Sequence, residues 1–102
     1  MPKISYLPSY YQDLASIASY ITNELEAPKA ARNLVLEVRK AVNGLKEHPL
    51  AHHLYQSEVP LPLEFRILPV KNYNVFYTVL DDGTVEIHRV IYKRRNFSKL
   101  IK

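Results

Sequence analysis

His88 and Tyr92 lie four residues apart near the end of the chain, on either side of Val90, and Arg94 and Arg95 follow after Lys93. On extended backbone, alternate side chains share a face. Glu86, His88, Val90 and Tyr92 then fall on one side, and Val85, Ile87, Arg89 and Ile91 on the other. An imidazole, a phenol and two guanidinium groups are the parts of a metal-independent ribonuclease. His88 or Tyr92 would handle the proton of a 2′-hydroxyl, while Arg94 and Arg95 would stabilise charge on the scissile phosphate. Arg66, on a neighbouring strand, would join them. In the competing reading Tyr92 packs, His88 bonds to its neighbours, and the arginines meet a partner's carboxylates. That reading is favoured, because no carboxylate or second histidine completes an acid–base pair.

The charge pattern points the same way. From Ile87 onward the chain carries Arg89, Lys93, Arg94, Arg95, Lys99 and Lys102, with no Asp or Glu. Residues 65–102 hold eight Lys or Arg against Asp81, Asp82 and Glu86, so the formal charge of +4 belongs almost wholly to this end. Such a surface seeks an acidic protein segment or a nucleic acid. Arg89, Lys93, Arg94, Arg95 and Lys99 are its candidate binding residues; the alternative is a solvated basic end.

Other chemistry is excluded more firmly. With no cysteine, the chain has no disulfide framework, thiolate nucleophile or thiolate-bound zinc, which suits a cytoplasmic protein. His52 and His53 are adjacent and would point apart on extended chain, while His48 and His88 stand alone, so no metal is expected. There is no Gly-x-Ser-x-Gly elbow, and Gly44 and Gly83 are isolated, so no phosphate-cradling loop exists. No cofactor and no small-molecule substrate are implied. No apolar run approaches a membrane span, and the N-terminus lacks the form of a secretory signal.

The elements that must position these residues can be read from period and punctuation. Lys3 to Leu7 is a short strand closed by Pro8. Ser9-Tyr10-Tyr11-Gln12 has the form of a capping box. Leu14, Ile17, Ala18, Ile21 and Leu25 make the apolar stripe of a first helix. Pro28 opens a second, whose stripe is Ala31, Leu34, Val35, Val38, Val42 and Leu45 and which stops before His48-Pro49. Arg32, Glu37, Arg39, Lys40 and Lys46 lie off the stripe and carry no assigned role. Residues 49–64, with Pro49, Pro60 and Pro62, form an extended connection. Three strands follow, joined at Lys71-Asn72, where Asn tolerates positive φ, and at Asp82-Gly83. The expectation is one domain over residues 1–102, of class α+β and order β-α-α-β-β-β. A small antiparallel sheet would carry the helical hairpin on one face.

Taken together, these stretches resemble the RelE/ParE superfamily of bacterial toxins. The matching tracts are Phe65-Arg66-x-x-Pro69-Val70-x-x-Tyr73-x-Val75-Phe76-Tyr77 and Val85-x-Ile87-x-Arg89-Val90-Ile91-Tyr92-x-x-Arg95-Asn96. Asp13-Leu14-x-x-Ile17-x-x-Tyr20-Ile21 and Leu45-x-x-x-Pro49 agree in the helical half. The resemblance implies the toxin of a type II toxin–antitoxin pair, causing growth arrest and neutralised by a cognate antitoxin with an acidic or amphipathic segment. RelE-like members cut mRNA on the ribosome. Arg94 matches one of their arginines, but Asn74 and Leu100 stand where they place an arginine and a tyrosine. ParE-like members poison DNA gyrase, and Arg66, Pro69, Val70, Tyr73, Arg89, Val90 and Arg95 match their pattern, with Tyr92 replacing a histidine. The body of the chain is the more ParE-like, so gyrase is the first expected target, and the ribosome with mRNA is the alternative.

Overall fold

A computed structural model describes residues 2–100; Lys102, one of the expected basic-end residues, lies outside them. The chain runs β1 (Ile4–Tyr6), α1 (Pro8–Asn23), α2 (Pro28–Asn43), β2 (Arg66–Val70), β3 (Tyr73–Val79) and β4 (Val85–Tyr92). Short 3-10 turns lie at Gly44–Lys46 and Phe97–Lys99. The sheet order is β1-β4-β3-β2. This is the expected α+β architecture, with an N-terminal helical hairpin on a four-stranded sheet.

β2, β3 and β4 pair antiparallel, whereas β1 joins β4 in parallel, so the sheet is mixed rather than wholly antiparallel. The reason is direction. The two helices return the chain to its starting sense, residues 47–65 carry it back, and β2 and β4 then run the same way as β1. β1 pairs with β4 only from Val85 to Ile87.

Both helices start at a proline, Pro8 and Pro28, where the missing amide costs nothing. The capping box does not form: the residue before α1 is Leu7, with no side-chain cap. Ser9 sits inside the first turn, and its hydroxyl donates instead to the His88 carbonyl at 2.7 Å. The second stripe packs as its spacing requires, with Ala31, Leu34, Val38, Val42 and Leu45 buried. All but Ala31 meet Leu68, Val70, Val75, Tyr77, Val85, Ile87 and Val90 from the sheet, forming the main core. Burying such side chains contributes about 1.5–3 kcal/mol each, which makes this layer the principal source of stability.

A second core lies on the opposite face, where Phe65, Phe76, Ile91 and Phe97 pack with Tyr55, Leu61 and Ile67. The connection of residues 49–64 covers that face. Leu54 bridges Arg66, Tyr55 N–H donates to the Phe65 carbonyl at 2.7 Å, and Ile67 N–H donates to the His53 carbonyl at 3.0 Å. The sheet thus carries the hairpin on one face, as expected, and the connection on the other.

Strict alternation along β4 fails at one position. Phe76 pairs with Arg89 and Tyr77 with Ile87, leaving His88 as an extra, bulged residue. The bulge shifts the pattern, so Val85, Ile87 and Val90 face the helices while Ile91 joins the second core. At the β2–β3 turn it is Lys71, not Asn72, that takes the left-handed conformation, with φ 53°. Gly83 supplies φ 90° at the other hairpin, as expected.

Candidate functional site

The edge of β4 is where helix and sheet chemistry meet. Beyond Ile87, β1 no longer pairs with β4, and α1 takes its place. Ser9 and Asp13, one helical turn apart, face this edge. Ser9 donates to the His88 carbonyl, and Asp13 Oδ2 accepts from Val90 N–H at 3.0 Å. The same carboxylate receives Arg89 Nε at 2.6 Å and Nη2 at 2.9 Å. Arg89 is therefore held in a two-pronged, largely buried ion pair. The hydrogen bond to Asp13 pushes its pKa further up, so the pair is one of full charges. Sequence reading placed Arg89 on the binding surface; the fold uses it to clamp α1 to β4.

His88 is equally committed. Its ring lies edge-on to Phe65 at 5.0 Å and shares a hydrogen bond of 3.1 Å between Nε2 and the Thr78 hydroxyl. Glu86 Oε1 is 3.8 Å away, and the His88 side chain is only 12% exposed. Burial lowers its pKa below 6.5, and the nearby Glu86 carboxylate offsets only part of that. The unfolded chain therefore takes up the proton first as pH falls. The contribution of neutral His88 is complete above about pH 6.5 and is lost progressively below it. We expect the melting temperature to fall more steeply between about pH 7 and pH 5 for the native chain than for His88→Gln. Parallel slopes in the two melting series would contradict this placement.

Arg66 serves the covering connection. Its guanidinium donates to the His52 carbonyl at 2.8 Å and, more weakly, to that of Leu50 at 3.5 Å. Tyr77, paired with Arg66 across the ladder, donates its hydroxyl to the Pro49 carbonyl at 2.7 Å. Arg66 is separated from β4 by β3, and His88 lies on the face covered by the connection. Tyr92 lies with Tyr73 towards the helices, their rings edge-on at 5.7 Å. The five residues of the ribonuclease arrangement are thus distributed over β2, both faces of β4 and the turn that follows β4. Only Tyr92 and Arg95 line one concave surface.

That surface is a groove of about 930 Å³ between the helical hairpin and the β3–β4 end of the sheet. Ile17, Tyr20, Ile21 and Leu25 of α1 and its exit form one wall, with Ala30 and Leu34 from α2. Tyr73, Val90 and Tyr92 form the sheet wall, and Lys71, Asn72 and Arg95 rim one mouth. Tyr20 and Leu25 are each more than half exposed, which leaves an apolar wall open to water. Sequence periodicity placed Leu25 on the buried stripe; it instead lies where α1 ends and the chain turns away. The groove could not be read from spacing, since it exists only once the hairpin is set against the sheet. Lys93 and Arg94, which precede Arg95 in sequence, are exposed, as is Lys99 in the turn anchored by Phe97. Among the described residues, no group of His, Cys, Asp or Glu is arranged to hold a metal ion.

The geometry is that of a helical hairpin on a mixed sheet, with an open apolar groove between them and a basic corner at one mouth. The chain's lineage is shown by sequence. Residues 4–97 match the family model described as ParE toxin of type II toxin-antitoxin system, parDE, and the chain belongs to that family. The fold is similar to a solved structure described as the chromosomal ParDE TA system from P. aeruginosa. The TM-score is 0.72 at 20% identity, covering 90% of this chain and 96% of the other. No curated protein sequence matches the chain. None of the described helices is long and apolar enough to cross a membrane.

Proposed function

We propose that this type II toxin acts in the cytoplasm by inhibiting DNA gyrase, and that a cognate antitoxin encoded beside it neutralises it. The observation that carries the proposal is the apolar groove with cations at one mouth. It suits an amphipathic antitoxin segment that buries its apolar face against Tyr20, Ile21 and Leu25 and sets carboxylates against Lys71 and Arg95. A gyrase mechanism needs only a shaped surface. The ribosomal mRNA endonuclease reading needs Arg66, His88, Tyr92, Arg94 and Arg95 to converge, and their separation supports the binding mechanism instead.

The antitoxin half predicts a salt-dependent loss. Reversing charge at Arg94 and Arg95 together should weaken antitoxin binding on the order of tenfold or more at low salt, and less at moderate salt. Unchanged affinity at both ionic strengths would remove the basic corner from the contact. The whole reading is tested by inducing the chain in a bacterial host with and without the neighbouring reading frame. Growth arrest, relaxed plasmid DNA and rescue by the neighbour are expected. Unimpeded growth with normally supercoiled plasmid would leave a non-toxic, basic interaction domain as the remaining account.

A further inference from the structure

The groove accounts for only part of the basic end. Lys71, Lys93, Arg94 and Arg95 are all exposed, and two adjacent turns hold them together. Tyr73 pairs with Tyr92 at the end of the ladder, Lys93 N–H donates to the Asn72 carbonyl, and Arg95 N–H donates to the Tyr92 carbonyl, both at 2.9 Å. Among the described residues the carboxylates that meet a basic side chain are Asp13, paired with Arg89, and Glu86, near the neutral His88, so these four cations meet no carboxylate. The acidic turn of Asp81 and Asp82 lies at the opposite end of β3 and β4, roughly 20 Å away along the strands. Lys71 sits at the turn itself, in a left-handed conformation with φ 53°.

We propose that this corner binds the phosphate backbone of duplex DNA, an inference that does not rest on the gyrase reading. Lys93 and Arg94 are exposed and are not among the residues that line the groove. Spaced point charges of that kind suit phosphodiesters, whereas an acidic antitoxin segment would draw its packing from the groove beside them. Single strands bind chiefly by base stacking, and the exposed aromatic at the rim, Tyr92, is already met edge-on by Tyr73.

The test is fluorescence anisotropy with a labelled mixed-sequence duplex of about 24 base pairs, titrated across salt from about 50 to 200 mM. The native chain should show a log–log salt slope of about 3 to 4, for four phosphate contacts. Arg94→Gln with Arg95→Gln should reduce the slope by about 2 and weaken binding roughly tenfold or more at the lowest salt. Lys71→Asn should reduce the slope by about 1 without lowering the melting temperature. No binding at the lowest salt, or slopes unchanged in both variants, would overturn the proposal. So would tighter binding to a poly-glutamate peptide or to single-stranded RNA of equal length. The assay contains no gyrase, so its failure would leave the gyrase reading standing, and failure of gyrase inhibition would leave DNA binding standing.

Discussion

Asp13→Ala should destabilise the fold by about 3 kcal/mol and lower the melting temperature by more than about 10 °C, with little change in the groove's apolar walls. One carboxylate serves three donors: both prongs of Arg89 and the Val90 amide. Removing it leaves a largely buried guanidinium without its counter-charge and opens the β4 edge where β1 has ended. The loss therefore combines an unpaired charge with an unsatisfied backbone amide, each costing about 1–3 kcal/mol or more. Arg89→Met should cost less, because Asp13 still accepts from Val90. The double substitution should recover part of the Asp13→Ala loss, since it removes the stranded charge. Thermal melts of the three variants check this; equal, small losses would show the pair to be a surface ornament.

The second large effect is expected at Phe97. Its ring stacks on Phe76 at 3.8 Å and 12°, meets Phe65 and Tyr55 edge-on, and is 1% exposed. It is the anchor of the segment that carries Lys93, Arg94 and Arg95. Phe97→Ala should cost about 3–5 kcal/mol, by the usual cavity and transfer cost of a buried aromatic. The last turn is otherwise held by the partly buried Leu100, by the Asn96 side chain accepting from Ser98, and by the Tyr55 hydroxyl 3.4 Å from the same carboxamide oxygen. Phe97→Leu should retain most of the stability. Chemical denaturation measures the cost. An Ala variant with the native midpoint would mean that the tail is not docked.

The elements that could be read from sequence are those whose physics is local. The second helix announced itself through Pro28 and the 3.6-residue spacing of Ala31, Leu34, Val38 and Val42. Asp82-Gly83 named its turn because only glycine takes φ 90° without strain. The basic end was visible as composition. What was hidden depends on contacts between distant segments. Asp13 with Arg89 and Ser9 with the His88 carbonyl join residues more than seventy positions apart. Ser9 followed one turn later by Asp13, on the polar side of a helix beside a strand, is the signal that could have suggested an edge cap. The His88 bulge has no glycine to mark it, so alternation assigned Val90, Tyr92 and Ile91 to the wrong sides. Arg66 looked catalytic because arginine chemistry is general; its acceptors, the carbonyls of His52 and Leu50, lie in a connection with no periodicity to place them.

The central claim is that this ParE-family chain acts on gyrase by binding, not on mRNA by cutting. The most direct measurement adds the purified chain to a gyrase supercoiling reaction and, in parallel, to a translating extract with end-labelled mRNA. The account predicts loss of supercoiling with the message intact, and restoration of supercoiling when the neighbouring antitoxin is added first. Undisturbed supercoiling with cuts positioned at codons in the message would contradict it.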